Sequence, residues 1–429
     1  MFANSGRPII RASLLASICM LAVSVAGQGI RSIAPNGAGL APDRLDRITA
    51  LMNEHVAKGH IAGAIGLIAR RGKVGYFETY GFQDKEAGVQ MKKDTIFRMY
   101  SMTKPITGVA VMILYEEGKF FLSDPVSKYL PELANMKVAV VEIDPQTGRK
   151  TRYTVPAKRE ITILDLLRHT SGIDYAGPED ADGKRIYEKL GTNDVDQTIS
   201  EMVKKISQAP LVCQPGSRWE YGLSMDVLAR LVEVVSGQPY DKFLEQRIFK
   251  PLGMNDTGYY VPSDKQNRFA KLYAPADGWT IKLNTTSAQN SYLKPAVNFG
   301  GGSQTVSTAS DYLRFCQMLL GGGELDGVRI LSRKTVELMT SDHIGDMPRG
   351  AVIPAGYGFG FTMAVSRGPG RTGSIGSEGE YNWGGAAGTR FWIDPREQMI
   401  GIFMIQILPH TNLTYGSQFK QLAYQAISD

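Results

Sequence analysis

Strand-like alternation of apolar and polar residues lies near both ends of this chain, and the long stretch between them is mainly helical in pattern. Near the start, residues 64–69 and 73–80 are predicted strands joined by a tight Arg-Arg-Gly turn. Near the end, strands are predicted over 358–365, 389–393 and 399–406. Because a sheet must bury one face against helices, the pattern predicts a split α/β unit.

The middle of the chain has the apolar spacing of helices. One helix is predicted over 43–58 and another over 102–117, closed by Gly118. Further helices are predicted over 162–168, 195–208, 224–236, 240–248, 309–320 and 414–427, with a hairpin at 138–143 and 151–155. We therefore expect one unit over 42–429, with an α/β part at 42–105 and 300–429 and an all-helical insertion, or at least a mainly helical one, at 106–299.

The first 26 residues have the order of a secretory signal peptide. Arg7 and Arg11 precede an apolar run over 14–23, and small residues lead to a cleavage point after Ala26. The alternative is a membrane anchor, but the run is shorter than the roughly 20 residues that a transmembrane helix needs. We expect a secreted or periplasmic protein with no stable membrane insertion after cleavage.

Composition narrows the possible functions. Apolar residues make up 43% and charged residues 21%, which is typical of a globular protein. The net charge is +6, without a Lys/Arg run that would indicate nucleic-acid binding. The five histidines and three cysteines show no metal-ligand spacing, so we expect neither a metal nor a cofactor. Cys213 and Cys316 could pair in an oxidising compartment, but Cys316 lies in an amphipathic helical pattern, which favours two free thiols.

Ser101 and Lys104 form the first candidate catalytic pair. Ser101 follows a predicted strand and begins a helix, where backbone N–H groups are free. Lys104 lies three residues on, so one helical turn places both side chains on the same face. A lysine whose pKa is lowered by burial can accept the serine proton. The alternative is an ordinary N-cap serine beside a solvated lysine.

Two other serines have the same spacing to a lysine but the wrong surroundings. Ser291 precedes Lys294 in a segment that continues into a proline, which indicates a loop. Ser417 precedes Lys420 inside the predicted final helix. Only Ser101 therefore has the strand-to-helix context of a nucleophile.

Two further segments have the residue types of a serine hydrolase site. Tyr221 lies between a predicted turn and a helix, where a phenol close to ammonium groups can act as a base. Residues 383–392, WGGAAGTRFW, place small residues at a predicted strand opening, where backbone N–H groups can form an oxyanion hole. The alternatives are a buried structural tyrosine and a simple β-bulge.

In combination these segments resemble the serine β-lactamase and penicillin-recognising superfamily, in its class C-like branch, and are most similar to the family VIII carboxylesterases. The resemblance covers residues 42–427, through the strings FRMYSMTK, LLRHTSG, PGSRWEY, STASDY and WGGAAGTRFWIDP. It implies the β-lactamase-like α/β fold, in which helices flank an antiparallel sheet.

The resemblance also implies residue roles. Ser101 is the acylated nucleophile, and Lys104 and Tyr221 share the proton transfers. The oxyanion hole consists of the backbone N–H groups of Ser101 and Ala386. Trp383, Gly384 and Gly385 line the substrate, here a small-molecule ester.

Two departures from the lactamase motifs favour uncharged esters over β-lactams. Lactamases of this branch have Tyr-x-Asn at the second motif, whereas this chain has Leu223 at the third position. They have Lys-Thr/Ser-Gly at the third motif, whereas this chain has Trp383 and Gly384. The alternatives that remain are a β-lactamase or D-alanyl peptidase activity, or an exported binding protein. A Ser-His-Asp hydrolase is the rival enzyme, but the chain has no GxSxG elbow. His169 lies at a predicted helix end near Gly172 and is interpreted as structural.

Overall fold

Strands from the two ends of the chain meet in one eight-stranded antiparallel sheet. The structure is a computed structural model that describes residues 1–2, 32–180, 182–410 and 414–429. Residues 3–26 of the predicted signal peptide lie outside the described residues, so the predicted cleavage point stays a prediction.

The strands, in chain order, are β1 Gly63–Arg70, β2 Lys73–Asp84, β3 Val89–Gln90, β4 Phe97–Arg98, β5 Lys137–Ile143, β6 Lys150–Pro156, β7 Tyr273–Pro275, β8 Ile281–Leu283, β9 Val306–Ser307, β10 Glu324–Leu325, β11 Val328–Arg329, β12 Tyr357–Phe359, β13 Ala364–Ser366, β14 Tyr381–Gly384, β15 Arg390–Asp394 and β16 Met399–Met404. The main sheet has the order β12-β13-β14-β15-β16-β1-β2-β3. The last strand therefore pairs with the first, with Ile65 opposite Met404.

The helices, in chain order, are α1 Pro42–Ala57, α2 Thr103–Glu116, α3 Ile163–Leu167, α4 Ile186–Leu190, α5 Ile199–Ser207, α6 Ser224–Ser236, α7 Tyr240–Leu244, α8 Lys250–Leu252, α9 Ala309–Leu320, α10 Arg333–Met339, α11 Pro369–Thr372 and α12 Tyr415–Gln425. A π-helical turn, Glu245–Phe249, joins α7 to α8. A 3₁₀ turn, Tyr100–Met102, leads into α2. Most helices predicted from the apolar spacing are present, with shifted ends.

Alternation along β1 divides the apolar core into two layers. Ile65 and Leu67 belong to the layer that contains α2 and the inserted helices. Ala64 and Ile68 face the other way, into the layer formed by α1 and α12. This sandwich of helices on both faces of an antiparallel sheet confirms the predicted fold class.

Two sequence predictions differ in detail from the structure. Residues 358–365 were expected to form one strand, but β12 and β13 form a hairpin that reverses at Thr362, whose φ is 72°. The alternation of that segment continues through the turn, so the pattern alone does not reveal the reversal. The inserted region is mainly helical but not all-helical, since it holds the predicted β5–β6 hairpin and a second small sheet of β7 and β8.

Cys213 and Cys316 are buried free thiols, which agrees with the sequence prediction. Among the described residues, no helix combines the length and the apolar character that a bilayer span requires.

Candidate active site

Ser101 lies in the tight turn that joins β4 to α2. The preceding residue, Tyr100, has a φ of 46°, a left-handed conformation that few non-glycine residues adopt. This turn presents Ser101 at the wall of a cavity of about 860 Å³. The predicted strand-to-helix context of Ser101 is therefore present, and the strained residue lies directly beside the candidate nucleophile.

Lys104 is completely buried in the first turn of α2. Its Nζ donates hydrogen bonds to Ser101 Oγ at 3.1 Å, to the Tyr175 hydroxyl at 2.9 Å and to the Gly302 carbonyl at 2.7 Å. Three acceptors match the three N–H groups of an ammonium group. The lysine is therefore held in one position against Ser101.

The charge state of Lys104 differs from the sequence expectation. Burial alone lowers the pKa of this amine, but Tyr175 and Tyr221 oppose burial, and the pKa of Lys104 lies above its usual value. The expectation of a lowered pKa was wrong, because sequence does not show which phenols face the amine. Lys104 remains an ammonium group.

Tyr221 lies between the 215–220 turn and α6. Its ring stacks on Trp219 at 5.6 Å between centroids, and Lys104 Nζ lies 4.7 Å from its ring centroid. The Trp383 indole donates a hydrogen bond to its hydroxyl at 3.3 Å. Burial raises the pKa of Tyr221, but the charge of Lys104 and interactions with Lys104, Ser101 and Trp383 outweigh it, so the pKa lies below its usual value. The geometry thus favours a phenolate–ammonium pair.

Sequence reasoning missed three groups that hold Lys104 in place. Tyr175 has an exposed ring whose hydroxyl nevertheless accepts from Lys104. Asp226, on the first turn of α6, accepts a hydrogen bond from the Gly302 N–H at 3.2 Å, while the Gly302 carbonyl accepts from Lys104. Burial raises the pKa of Asp226 to about 6. No motif marks these residues, although Asp226 follows the second motif closely.

The third segment forms the facing wall of the cavity. Trp383 and Gly384 end β14, a strand that the sequence analysis did not predict, and a turn leads from them to β15. A Cβ on Gly385 would lie 2.4 Å from the Met99 carbonyl oxygen, so only glycine allows this close approach to the Ser101 turn. The predicted residues Trp383, Gly384, Gly385 and Ala386 all line the same cavity as Ser101 and Tyr221.

Two backbone N–H groups are available at the candidate oxyanion position. Within the described residues, neither the Ser101 N–H nor the Ala386 N–H donates to a protein acceptor. Both residues line the cavity. Free N–H groups in such a position can stabilise a developing oxyanion.

His169 is also buried beside Tyr221, with ring centroids 5.0 Å apart. In the part of the chain that the structure describes, neither of its ring nitrogens has a hydrogen-bond partner. Burial and the charge of Lys104 hold its pKa well below the usual value, so the ring is neutral. An aromatic contact without a hydrogen bond to the serine supports the structural interpretation of His169.

The family model for "Beta-lactamase" matches residues 48–424, nearly the whole of the described chain. The chain belongs to the beta-lactamase family. This confirms the expected fold and the relationship to serine hydrolases of this family.

Individual relatives agree with that assignment. Protein Rv1367c of Mycobacterium tuberculosis is 37% identical over 373 residues, which cover 85% of this chain and 90% of the relative. Esterase EstB of Burkholderia gladioli is 30% identical over 81% of this chain and 86% of its own length. Among solved structures, EstCE1, described as a hydrolase with promiscuous acyltransferase activity, superposes with a TM-score of 0.74 at 26% identity, covering 89% of this chain and 98% of EstCE1.

Proposed function

We propose that this protein is an exported serine hydrolase that cleaves small carboxylic esters through an acyl-enzyme on Ser101. The observation that carries the proposal is the contact of Ser101 Oγ with the fully buried ammonium group of Lys104, at 3.1 Å. The similarity to Esterase EstB supports an ester as the substrate.

In acylation, the Tyr221 phenolate accepts the Ser101 hydroxyl proton while Oγ attacks the ester carbonyl carbon. The lowered pKa of Tyr221 favours the phenolate that this step needs. Lys104 remains protonated, stabilises the phenolate and orients Oγ by its hydrogen bond. The expected sharing of proton transfers is refined in this way: Tyr221 accepts and returns the proton, and Lys104 keeps its positive charge throughout.

The tetrahedral intermediate places a negative charge on the former carbonyl oxygen. The N–H groups of Ser101 and Ala386 donate to that oxygen, since both are free and line the cavity. When the intermediate collapses, the C–O bond to the alcohol breaks and Tyr221 returns its proton to the leaving oxygen.

Deacylation repeats these steps with water. Tyr221 removes a proton from a water molecule, whose oxygen attacks the acyl carbon. The bond to Ser101 Oγ then breaks, Tyr221 returns the proton to Oγ, and the free acid leaves. The protein supplies every proton-transfer group in this cycle.

Trp383 and Leu223 favour an ester over a β-lactam. Trp383 presents an apolar ring where lactamases of this branch have a cation, and Leu223 lacks the amide that can hold a side-chain carbonyl. A β-lactam carboxylate placed against these residues would lose a charged hydrogen bond, which is worth about 1.5–3 kcal/mol. An uncharged ester has no such requirement.

Covalent labelling tests the nucleophile. A fluorophosphonate probe is expected to modify Ser101 alone, as located by mass spectrometry of the labelled peptides. Ser291 and Ser417 are internal controls, since both share the spacing to lysine but not the setting. A label on either of them instead of Ser101 would disprove the assignment.

A substrate comparison tests the reaction class. We expect kcat/KM for p-nitrophenyl butyrate to exceed that for a chromogenic cephalosporin by at least about tenfold. A higher value for the cephalosporin would favour the β-lactamase alternative. Labelling of Ser101 without turnover of any ester, β-lactam or D-alanyl peptide would indicate a binding protein.

Export is the part of the proposal that rests on the sequence alone. Arg7, Arg11 and the apolar run before Ala26 support it. Expression of the full chain in a bacterial host, followed by N-terminal sequencing of the exported fraction, should give a protein that begins at Gly27. Retention in the cytoplasm at full length would contradict export without affecting the proposed chemistry.

A further inference from the structure

Arg390, the first residue of β15, lines the same cavity as Ser101 and Tyr221. It pairs across the sheet with Gly384, and a Cβ on Gly384 would lie 3.4 Å from Arg390 Cγ. A Cβ on Gly416, in α12, would lie 2.7 Å from Arg390 Cδ. Two glycines therefore leave room for the stem of this side chain to cross between the sheet and α12.

The Arg390 guanidinium group has no counter-ion in the part of the chain that the structure describes. Its Nη1 donates to Ser417 Oγ at 3.1 Å, and among the described residues no carboxylate forms an ion pair with it. The nearby Lys420 is already paired with Glu380 at 2.5 Å. An arginine in a cavity wall without an anionic partner retains most of its capacity to bind an anion.

The charge of Arg390 affects the pKa of a neighbouring histidine. Burial and the charge of Arg390 lower the pKa of His410, another residue of the cavity wall, to about 4. Burial also lowers the pKa of Arg390 itself. The positive charge of Arg390 therefore acts on this end of the cavity.

The first turn of α12 adds to the same surface. Gly416 and Ser417 line the cavity, and no side chain of the described residues caps this helix end. The Ser417 N–H already donates to the Thr414 carbonyl, so this end favours negative charge through the helix dipole. The Ser417–Lys420 spacing that resembles a nucleophile pair thus lies in the cavity wall, but its serine contacts Arg390 and its lysine contacts Glu380.

We propose that Arg390, Ser417 and the first turn of α12 form an anion subsite, so that the preferred ester carries a carboxylate away from its reacting carbonyl. The inference rests on the proposed esterase function, and it replaces the uncharged ester favoured above with an ester whose charge lies at the Arg390 end of the cavity. Trp383 and Gly384 are consecutive residues of β14, so they face opposite sides of the sheet. Arg390 pairs with Gly384 and lies on the side of Gly384. Its guanidinium group therefore does not take the place of a cation at position 383.

Two matched pairs of esters test the subsite. In one pair, the p-nitrophenyl ester of glutaric acid is compared with that of glutaric acid monoamide, which varies the acyl part. In the other, 4-acetoxybenzoate is compared with 4-acetoxybenzamide, which varies the alcohol part. We expect the wild-type protein to have a higher kcat/KM for the acid in at least one pair. Arg390→Gln should reduce that acid-to-amide ratio about tenfold to a hundredfold.

Controls separate charge recognition from folding. Arg390→Lys should keep part of the preference, and Arg396→Gln, which removes an exposed cation outside the cavity, should leave the ratio unchanged. If Arg390→Gln does not fold, Ser417→Ala and the salt dependence of the wild-type ratio replace it. The ratio should fall with Ser417→Ala and with rising salt.

The two proposals fail in different ways. If the protein hydrolyses neither the amides nor the acids, the esterase function itself is contradicted. Hydrolysis of the amides with no preference for either acid, or with a preference that neither Arg390→Gln nor salt reduces, would overturn the anion subsite alone.

Discussion

The two ends of the substrate cavity are built in opposite ways. At the nucleophile end, formed by Ser101, Lys104 and Tyr221, the Lys104 ammonium group has an acceptor for each of its N–H groups. At the anion end, formed by Arg390 and Ser417, a cation has one hydroxyl partner and no described counter-ion. The Lys104 charge at the nucleophile end has its partners within the protein, whereas the Arg390 charge at the anion end is available to a ligand.

The two ends are expected to have different roles, proton transfer at one and substrate selection at the other. Groups that move protons act best when their positions are fixed before substrate arrives, because reorganisation during the reaction costs free energy. A group that selects substrate gains from remaining unpaired, because the incoming anion then replaces water alone. We therefore expect changes at the nucleophile end to reduce kcat, and changes at the anion end to alter the choice between substrates.

The largest effect is expected from Tyr221→Phe. Loss of the phenol removes the proposed base, so kcat for p-nitrophenyl butyrate should fall about 10²–10⁴-fold. The stack on Trp219 remains, so the thermal melting curve should change little. The matched control is Tyr260→Phe, at an exposed tyrosine. A Tyr221→Phe protein that kept most of its turnover would remove Tyr221 from the mechanism.

Gly385→Ala tests the contact between the third segment and the Ser101 turn. The new Cβ would lie 2.4 Å from the Met99 carbonyl oxygen and 2.2 Å from Thr389 Oγ1, so one segment must move. A displacement near 1 Å at the reacting groups can cost about 100-fold in kcat/KM. Gly370→Ala is the control, since its Cβ would meet nothing within 4 Å. Equal kcat/KM values for the two variants would show that this contact does not position Ser101.

A smaller effect is expected from Trp383→Phe. The indole N–H helps to lower the pKa of Tyr221, so its loss should raise that pKa. Activity depends on the phenolate and increases as pH rises through this pKa, so the acidic limb of the kcat/KM profile should move to higher pH. At neutral pH the rate should fall about two- to tenfold. Trp279→Phe, at an exposed tryptophan, should leave the limb in place.

The part of the site that sequence predicted best is local. Ser101 and Lys104 are three residues apart, and one helical turn fixes their separation whatever the rest of the chain does. Tyr175 and Asp226 could not be assigned in the same way, because they come from distant segments. Tyr175 accepts a hydrogen bond from the lysine, and Asp226 acts through Gly302. The direction of the Lys104 pKa was missed for the same reason.

The fold was predicted well where periodicity changed along the chain and less well where it did not. The helix α2 and the strands β1 and β2 have a clear pattern and clear ends. The reversal at Thr362 lies within a continuous alternation, and β14 is only four residues long. Short strands and turns without glycine or proline at the decisive position leave little signal in one sequence.

The pairing of β1 with β16 has a consequence for the order in which the chain acquires its structure during synthesis. Ile65 has no partner on one edge until the segment with Met404 has left the ribosome. Contacts between residues so far apart are costly to close, which makes folding slow and leaves β1 exposed in the nascent chain. The main sheet can therefore close only when nearly all of the chain has been made, so its completion follows the end of synthesis.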